Sequence, residues 1–409
     1  MMQKATRTQT KDHNTNLVLK TIIDTASISR AEIARTTGLT RTTVSDIVAD
    51  LLVEGLVKEI GVGSSIGGKS PILLSLEPNS RFLIGLDLAR NKFTGAIVNL
   101  RGEIRLKVEQ EVIGVDGEAA LNLLYEMLDQ LVGTDYLPIV GIGIGAPGLV
   151  NANDGVVVSA VNLDWKDLPL ARLVQARYHL PVEVFNDSQA AAIGEYTFGE
   201  GHTPEGSLVV INVRYGVGAG IIINGQLFHG DGGGAGEIGH IVVVPQGGQP
   251  CRCGKTGCLE TVASSHALIE KVQRLVAEGQ AASLARASGP VSLETIESAF
   301  RSGDAAAAEV VREAGHYLGV AISNLVGTLN IHQIVLAGDM TCFGEAWLLE
   351  IRQTMAANTL ERLAEATQVE IGKLGPNGII LGASAMILQN YSLLFSGSRR
   401  PEMPTGAAA

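Results

Sequence analysis

Three cysteines, Cys251, Cys253 and Cys258, fall within eight residues, and His240 lies shortly upstream. Together they supply three thiolates and one imidazole, a full tetrahedral set for zinc. A filled set leaves no open position for water, so the expected Zn2+ is structural, not catalytic. The loop's glycines let it fold back around an ion. The alternative is cysteines placed by chance. Cys342 has no such partners and reads as a small buried hydrophobe. Glu237 stands three residues before His240 and Glu260 two after Cys258, so ligation would bring both carboxylates to one cleft. Carboxylates and an asparagine amide make the paired hydrogen bonds that sugar hydroxyls need, and Asn186-Asp187 offers one of each. Taken alone, that pair also reads as a helix N-cap.

A second chemistry sits near the start of the chain. Residues 1–45 hold seven basic side chains (Lys4, Arg7, Lys11, Lys20, Arg30, Arg35 and Arg41) against Asp12, Asp24 and Glu32. The whole chain is acidic, at net charge −11. A basic end on an acidic body suits one DNA-contacting module, the alternative being a solvated basic tail. Leu19, Ile22 and Ile23 predict a helix over 16–25. Ser29-Arg30-Ala31-Glu32 forms a capping-box pattern for a second, short helix that Gly38 ends. Thr40 caps a third, with Val44, Ile47, Val48, Leu51 and Leu52 on one stripe. Arg41, Thr42, Thr43 and Ser45 are left on its open N-terminal face, while Asp46 and Asp50 should turn from the DNA backbone. This is a helix-turn-helix pattern, although a plain three-helix bundle shares it. Leu56–Ile60 and the alternating Ile72, Leu74 and Leu76 read as a hairpin wing, with Lys69 in its loop for phosphate. Gly63 to Ser70 matches the P-loop pattern, but Pro71 and a β-pattern follow where a helix is required, so the match is accidental.

Length and composition frame these sites. A chain of 409 residues with 46% hydrophobic content implies more than one domain. No apolar run of membrane-spanning length occurs, and the first 20 residues lack a signal-peptide core. Membrane insertion and secretion are therefore not expected, and the expected location is cytoplasmic.

From Phe82 the pattern becomes α/β. Strands are expected at 82–88, 94–98, 103–108 and 139–144, with a helix over 117–132. A similar order returns with strands at 207–213, 219–223 and 226–229, helices at 262–279 and 305–329, and a strand at 333–336. Asn224-Gly225 supplies a hairpin turn. Two such halves suggest a duplicated α/β domain that binds ligand in the cleft between them.

Four segments carry a specific resemblance: Gly145-Ala146-Pro147-Gly148, residues 184–192 around Asn186-Asp187, residues 234–240 around Glu237 and His240, and the cysteine loop 251–260. They resemble the ROK family of repressors, open reading frames and sugar kinases. The likeness covers essentially the whole chain, and the winged helix matches the repressor branch. It implies an N-terminal winged helix-turn-helix over 1–79 and a duplicated actin-like, ribonuclease H-like sugar-kinase domain over 80–396 for effector binding and oligomerisation. A disordered tail is expected over 397–409. It also implies that Asn186, Asp187, Glu237, His240 and Glu260 contact a monosaccharide, His240 serving metal as well, and that Asp187 occupies the position of the kinase general base.

The nucleotide side departs from the family. Where the kinases carry Asp-x-Gly-x-Thr, this chain has Asp87-Leu88-Ala89-Arg90-Asn91, and where they carry Gly-Thr-Gly it has Arg214-Tyr215-Gly216. Leu336-Ala337-Gly338-Asp339 also lacks the paired glycines typical near adenosine. Since phosphoryl transfer depends on positioning the phosphates, the chain is expected not to be an enzyme. The expectation is a homodimeric or homotetrameric repressor that binds operator DNA and responds to a sugar. The alternatives are an ATP-dependent sugar kinase with an attached DNA-binding domain, and a repressor sequestered by a sugar-transport protein.

Overall fold

The computed structural model describes residues 7–64, 70–200, 206–281, 284, 289–388 and 391–395; Lys69 and the tail 397–409 lie outside them. The first helix, α1 (Arg7–Ile23), begins well before the expected start. Its apolar face, Val18, Leu19 and Ile22, packs against α2 (Arg30–Thr37) and α3 (Arg41–Val53). The capping box forms: Ser29 Oγ accepts from Glu32 N–H, and Ser29 N–H donates to the Glu32 carboxylate at 2.9 Å. Gly38 stops α2 in the left-handed region at φ 70°, and Thr40 caps α3. Val44, Ile47, Val48 and Leu51 are buried, while Leu52 at the stripe's edge is half-buried. The wing consists of β2 (Val57–Val62) and β3 (Ile72–Leu76), with β1 (Ile28–Ser29) on the far edge of β3. Ser70 leads into β3 and Gly63 N–H donates to the Pro71 carbonyl at 2.8 Å, so a strand follows the P-loop-like residues.

The larger part is built on two sheets of the same topology. In the first, β4 (Phe82–Leu88), β5 (Lys92–Asn99) and β6 (Ile104–Glu111) form a meander; β7 (Ile139–Ala146) and β11 (Val182–Asn186) add in parallel on the β4 side. Between them come α4 (Gly117–Val132), a small sheet of β8 (Leu149–Asn151), β9 (Val156–Ala160) and β10 (Trp165–Leu168), and α5 (Leu170–Tyr178). In the second sheet β12 (Leu208–Val213), β13 (Val217–Ile223) and β14 (Gln226–Leu227) form the meander; β15 (Gln333–Ala337) and β16 (Gln368–Ile371) add in parallel beside β12. The orders β6-β5-β4-β7-β11 and β14-β13-β12-β15-β16 are equivalent, which is the duplication.

The helix expected over 262–279 is two helices, α7 (Glu260–Ala263) and α8 (Ser265–Ala277). Ser264 separates them because it is extended and its hydroxyl accepts from Ala267 N–H, as an N-cap must. The second lobe is completed by α9 (Leu293–Arg301), α10 (Ala305–Leu329), α11 (Gly344–Ala357) and α12 (Glu361–Ala366). Two helices lie between the sheets: α6 (Asp187–Phe198), against β12 and β13, and α13 (Gly378–Leu388), against β4 and β7. Their backbones touch. A Cβ on Gly382 would stand 1.7 Å from the Ala190 carbonyl oxygen, and one on Gly194 2.3 Å from that of Gly378. Among the described residues no helix is long and apolar enough to cross a membrane.

Candidate functional site

The cysteine loop folds back through two isolated antiparallel bridges, Val242 with Cys258 and Pro250 with Thr256. Gly257 must be glycine: its φ is 73°, and a Cβ would lie 1.9 Å from the Val244 carbonyl oxygen. The loop brings Cys251, Cys253 and Cys258 to His240, with all four ligand atoms within 4.8 Å of one another. Cys253 Sγ and Cys258 Sγ are 3.7 Å apart, and Cys251 Sγ lies 3.5 Å from His240 Nδ1. Tetrahedral zinc with its usual bond lengths needs edges of about 3.8 Å for sulfur–sulfur and about 3.5 Å for sulfur–nitrogen. The donor set and its spacing therefore fit that ion. Without a cation, burial first and then the neighbouring thiols push Cys258 up to about 12. A bound cation relieves that crowding. Cys342 stands outside this cluster and is half-buried, not fully buried as its sequence suggests.

His240 ends a short turn (Ile238–His240), and its ring has two faces of use. Nδ1 points to the sulfurs while Nε2 lies 3.8 Å from Glu237 Oε2. Nε2 thus faces a carboxylate on the side away from the sulfurs, where a hydrogen bond would fix a ligand's tautomer. Burial raises the Glu237 pKa, His240 opposes the shift, and Asp187 and Glu260 add to it. Three carboxylates from distant parts of the chain thus share one neighbourhood.

Asn186 ends β11 and caps α6: its Oδ1 accepts from Ser188 N–H at 2.9 Å and Gln189 N–H at 3.3 Å. Its Nδ2 donates to the Gly148 carbonyl at 2.8 Å. The N-cap role is therefore real, and it leaves one amide N–H for a ligand. Asp187 opens α6 and accepts from Ser188 Oγ at 3.1 Å. Burial raises its pKa against the pull of Arg214. Glu260 starts α7 and is already engaged: Oε2 accepts from Val217 N–H at 3.4 Å and Oε1 from Arg252 Nη2 at 3.2 Å.

Segments 87–91, 214–216 and 336–339 are joined by side-chain contacts. Arg214 reaches from the end of β12 to both oxygens of buried Asp87 on β4, at 3.1 and 3.0 Å, and its Nε lies 3.7 Å from Asp339. Burial works against its charge, but Asp87, Asp339 and Asp187 outweigh that and raise its pKa. Beside it the Tyr215 ring stacks on His266 with centroids 4.4 Å apart. The guanidinium carbons of Arg90 and Arg252 lie 4.2 and 4.8 Å from that ring's centroid. Sequence reading missed Arg252, His266 and Asn162, because only the fold brings them together; the unusual Arg214-Tyr215 pair was the available signal.

On the N-terminal module, Arg41, Thr42 and Ser45 are exposed at the start of α3, whereas Thr43 is half-buried with its hydroxyl 2.9 Å from that of Thr40. Asp50 is held by Lys11 at 3.2 Å, and Asp46 is exposed.

Residues 83–390 match the ROK family profile, and residues 11–58 match a winged helix-turn-helix DNA-binding profile. The chain is 34% identical over 393 residues to the xylose repressor of Caldicellulosiruptor bescii, covering 93% of this chain and 96% of that one. A solved ROK family transcriptional regulator, a homolog of the E. coli MLC protein, superposes with a TM-score of 0.81 at 28% identity, covering 95% of this chain and 98% of that one. A ROK family glucokinase from Streptomyces griseus, solved with glucose and AMPPNP, gives 0.67 at 30% identity, covering 75% of this chain and 99% of that one. The winged helix and the two-lobed α/β body of this chain together have the architecture of the regulator, and the chain belongs to the ROK family.

Proposed function

We propose that this protein is a sugar-responsive transcriptional repressor that binds operator DNA through residues 1–79 and a monosaccharide through residues 80–396. The observation that carries the reading is the relationship to a xylose repressor across both modules, over 93% of the chain. Arg41, Thr42 and Ser45 stand exposed at the start of α3, suited to base edges; Thr43 and Lys69 complete the proposed contact set. A sugar would lie against Asn186, Asp187, Glu237, His240 and Glu260. Zinc, held by His240, Cys251, Cys253 and Cys258, would fix the loop that carries Glu260 and hold His240 against Glu237. The acting form is a homodimer or homotetramer in the cytoplasm, since paired winged helices read paired half-sites.

In this reading the protein is a sensor and not a kinase. Arg214 neutralises Asp87 where phosphate would have to approach, and its guanidinium also draws on Asp187. Asp187 then serves as a sugar ligand. The relationship to a glucokinase keeps one rival in view, sugar phosphorylation. ATP- and sugar-dependent ADP release that disappears in Asp187→Ala would establish it.

The test of the repressor reading has two arms. Fluorescence anisotropy with the DNA upstream of the protein's own gene should show tight binding that falls steeply with salt. A thermal-shift series with free monosaccharides, with and without ATP, should show stabilisation by one sugar and none by ATP. Absence of salt-sensitive DNA binding overturns the repressor reading, and absence of any sugar response overturns the effector.

A further inference from the structure

Three arginines make contacts that cross from one lobe to the other. One lobe is the β4-centred sheet with the small β8–β10 sheet, and the other is the β12-centred sheet with the cysteine loop. Arg214 of the second lobe pairs with Asp87 of the first at 3.0 Å. Arg90 of the first lies over Tyr215 of the second, 4.2 Å from its centroid. Arg252, between two of the metal-site cysteines, donates from Nη1 to Asn162 Oδ1 of the first lobe at 2.8 Å. The same guanidinium donates from Nη2 to Glu260 Oε1 and lies against Tyr215.

These contacts share members. Tyr215 is touched by Arg90, Arg252 and His266, and Arg252 joins Tyr215 to Glu260 and Asn162. Two guanidinium groups against one ring repel each other, so the arrangement persists only while Glu260, Asn162 and the ring face hold them. The Glu260 side chain is 13% exposed, and one of its oxygens is spent on Arg252. A hydroxyl that approaches Glu260 must therefore be received beside Arg252, which at the same moment grips the opposite lobe.

We infer that Arg252 is a positioning residue: it orients Glu260 and ties it to Asn162, within a clasp of Arg214–Asp87, Arg90–Tyr215 and Arg252–Asn162 that sets how far the lobes stand apart. The coupling of Arg252 to a sugar rests on the effector reading above, while the clasp itself does not.

The decisive measurement needs no ligand. Nitroxides carried on p-acetylphenylalanine at Glu118 and Glu365, exposed on opposite lobes, report the interlobe distance by pulsed electron resonance. The otherwise native full-length chain should give one narrow distribution. Asn162→Ala with Arg90→Ala, which leaves the buried Arg214–Asp87 pair in place, should add a second, longer population at unchanged zinc content. Arg252→Lys should keep neither the narrow distribution nor full sugar affinity, because an ammonium lacks the planar fork that reaches two partners. Distributions that superimpose for native and doubly substituted chains overturn the clasp. With the monosaccharide that stabilises the native protein, Asn162→Ala should bind on the order of five-fold more weakly or worse. Unchanged affinity there overturns the role of Arg252. A native protein that binds no sugar instead overturns the effector reading, and the distance measurement still decides the clasp.

Discussion

Cys258 is fully buried, and its thiol lies 3.7 Å from that of Cys253. A side chain so placed has little to gain from water and much to gain from a cation. Cys258→Ser should keep the volume while removing the soft ligand. The purified native protein should hold one zinc per chain and the variant close to none by elemental analysis. Losing the ion should lower stability by on the order of a few kcal/mol, read as a fall in the thermal midpoint. Equal zinc content in both proteins would remove Cys258 from the metal set. This cluster was legible because its three cysteines lie close together in the sequence and their chemistry is narrow. The partners of Arg252 were not, since Asn162 stands 90 residues away and an asparagine in a turn carries no signal of its own. Arg214 and Tyr215 were visible as bulky residues at positions where the family resemblance implies small ones. That they fill the space with an ion pair and a ring stack is information held only in three dimensions.

Most element positions followed from periodicity. The helices Gly117–Val132 and Ala305–Leu329 stand where their apolar spacing places them. The break after Ala263 did not follow, because Ser264 interrupts a continuous helical pattern by turning extended and capping the next helix. Nor did the contact between α6 and α13, which are far apart in the chain and meet through glycines. That contact is demanding. Gly382 sits against the Ala190 carbonyl oxygen with no space for a methyl group, since a Cβ there would be only 1.7 Å away. Gly382→Ala must push α6 aside or unwind part of α13. Overpacking of this kind costs about 1–3 kcal/mol and sometimes more. Urea denaturation should show that loss, and because Asp187 opens α6, sugar affinity should fall with it. Gly303→Ala, at a turn with open space around it, is the contrast: its φ of 81° carries strain but no clash. If Gly382→Ala is no more destabilising than Gly303→Ala, the close approach does not matter energetically.

At the scale of the molecule, the DNA-binding module shares a core with the body. Val18, Leu19, Ile22 and Leu51 pack in one cluster with Leu83, Val140, Ile387, Leu388 and Leu394. Two arginines stitch its rim. Arg101, in the turn between β5 and β6, donates to the Ile23 carbonyl at 2.6 Å and the Thr25 carbonyl at 2.9 Å, closing the end of α1. Arg81, 7% exposed, donates to the carbonyls of Leu394 at 2.8 Å and Glu54 at 3.3 Å. The elements from the cleft to the DNA module are thus contiguous: α6 carries Asp187, α13 packs on α6, and the turn Tyr391–Phe395 packs on α1. A rigid chain of contacts transmits a change only if its far end is held, and Arg101 is the grip that can be removed without opening a core. Arg101→Ala should leave the operator complex intact, because no proposed DNA contact is touched. The loss of operator affinity caused by sugar should shrink, from a coupling of roughly 5–150-fold toward unity. Anisotropy titrations of operator at one fixed salt concentration, with and without the sugar, measure that ratio for both proteins. If the ratio is the same in Arg101→Ala as in the native chain, the end of α1 is not how the cleft reaches the DNA.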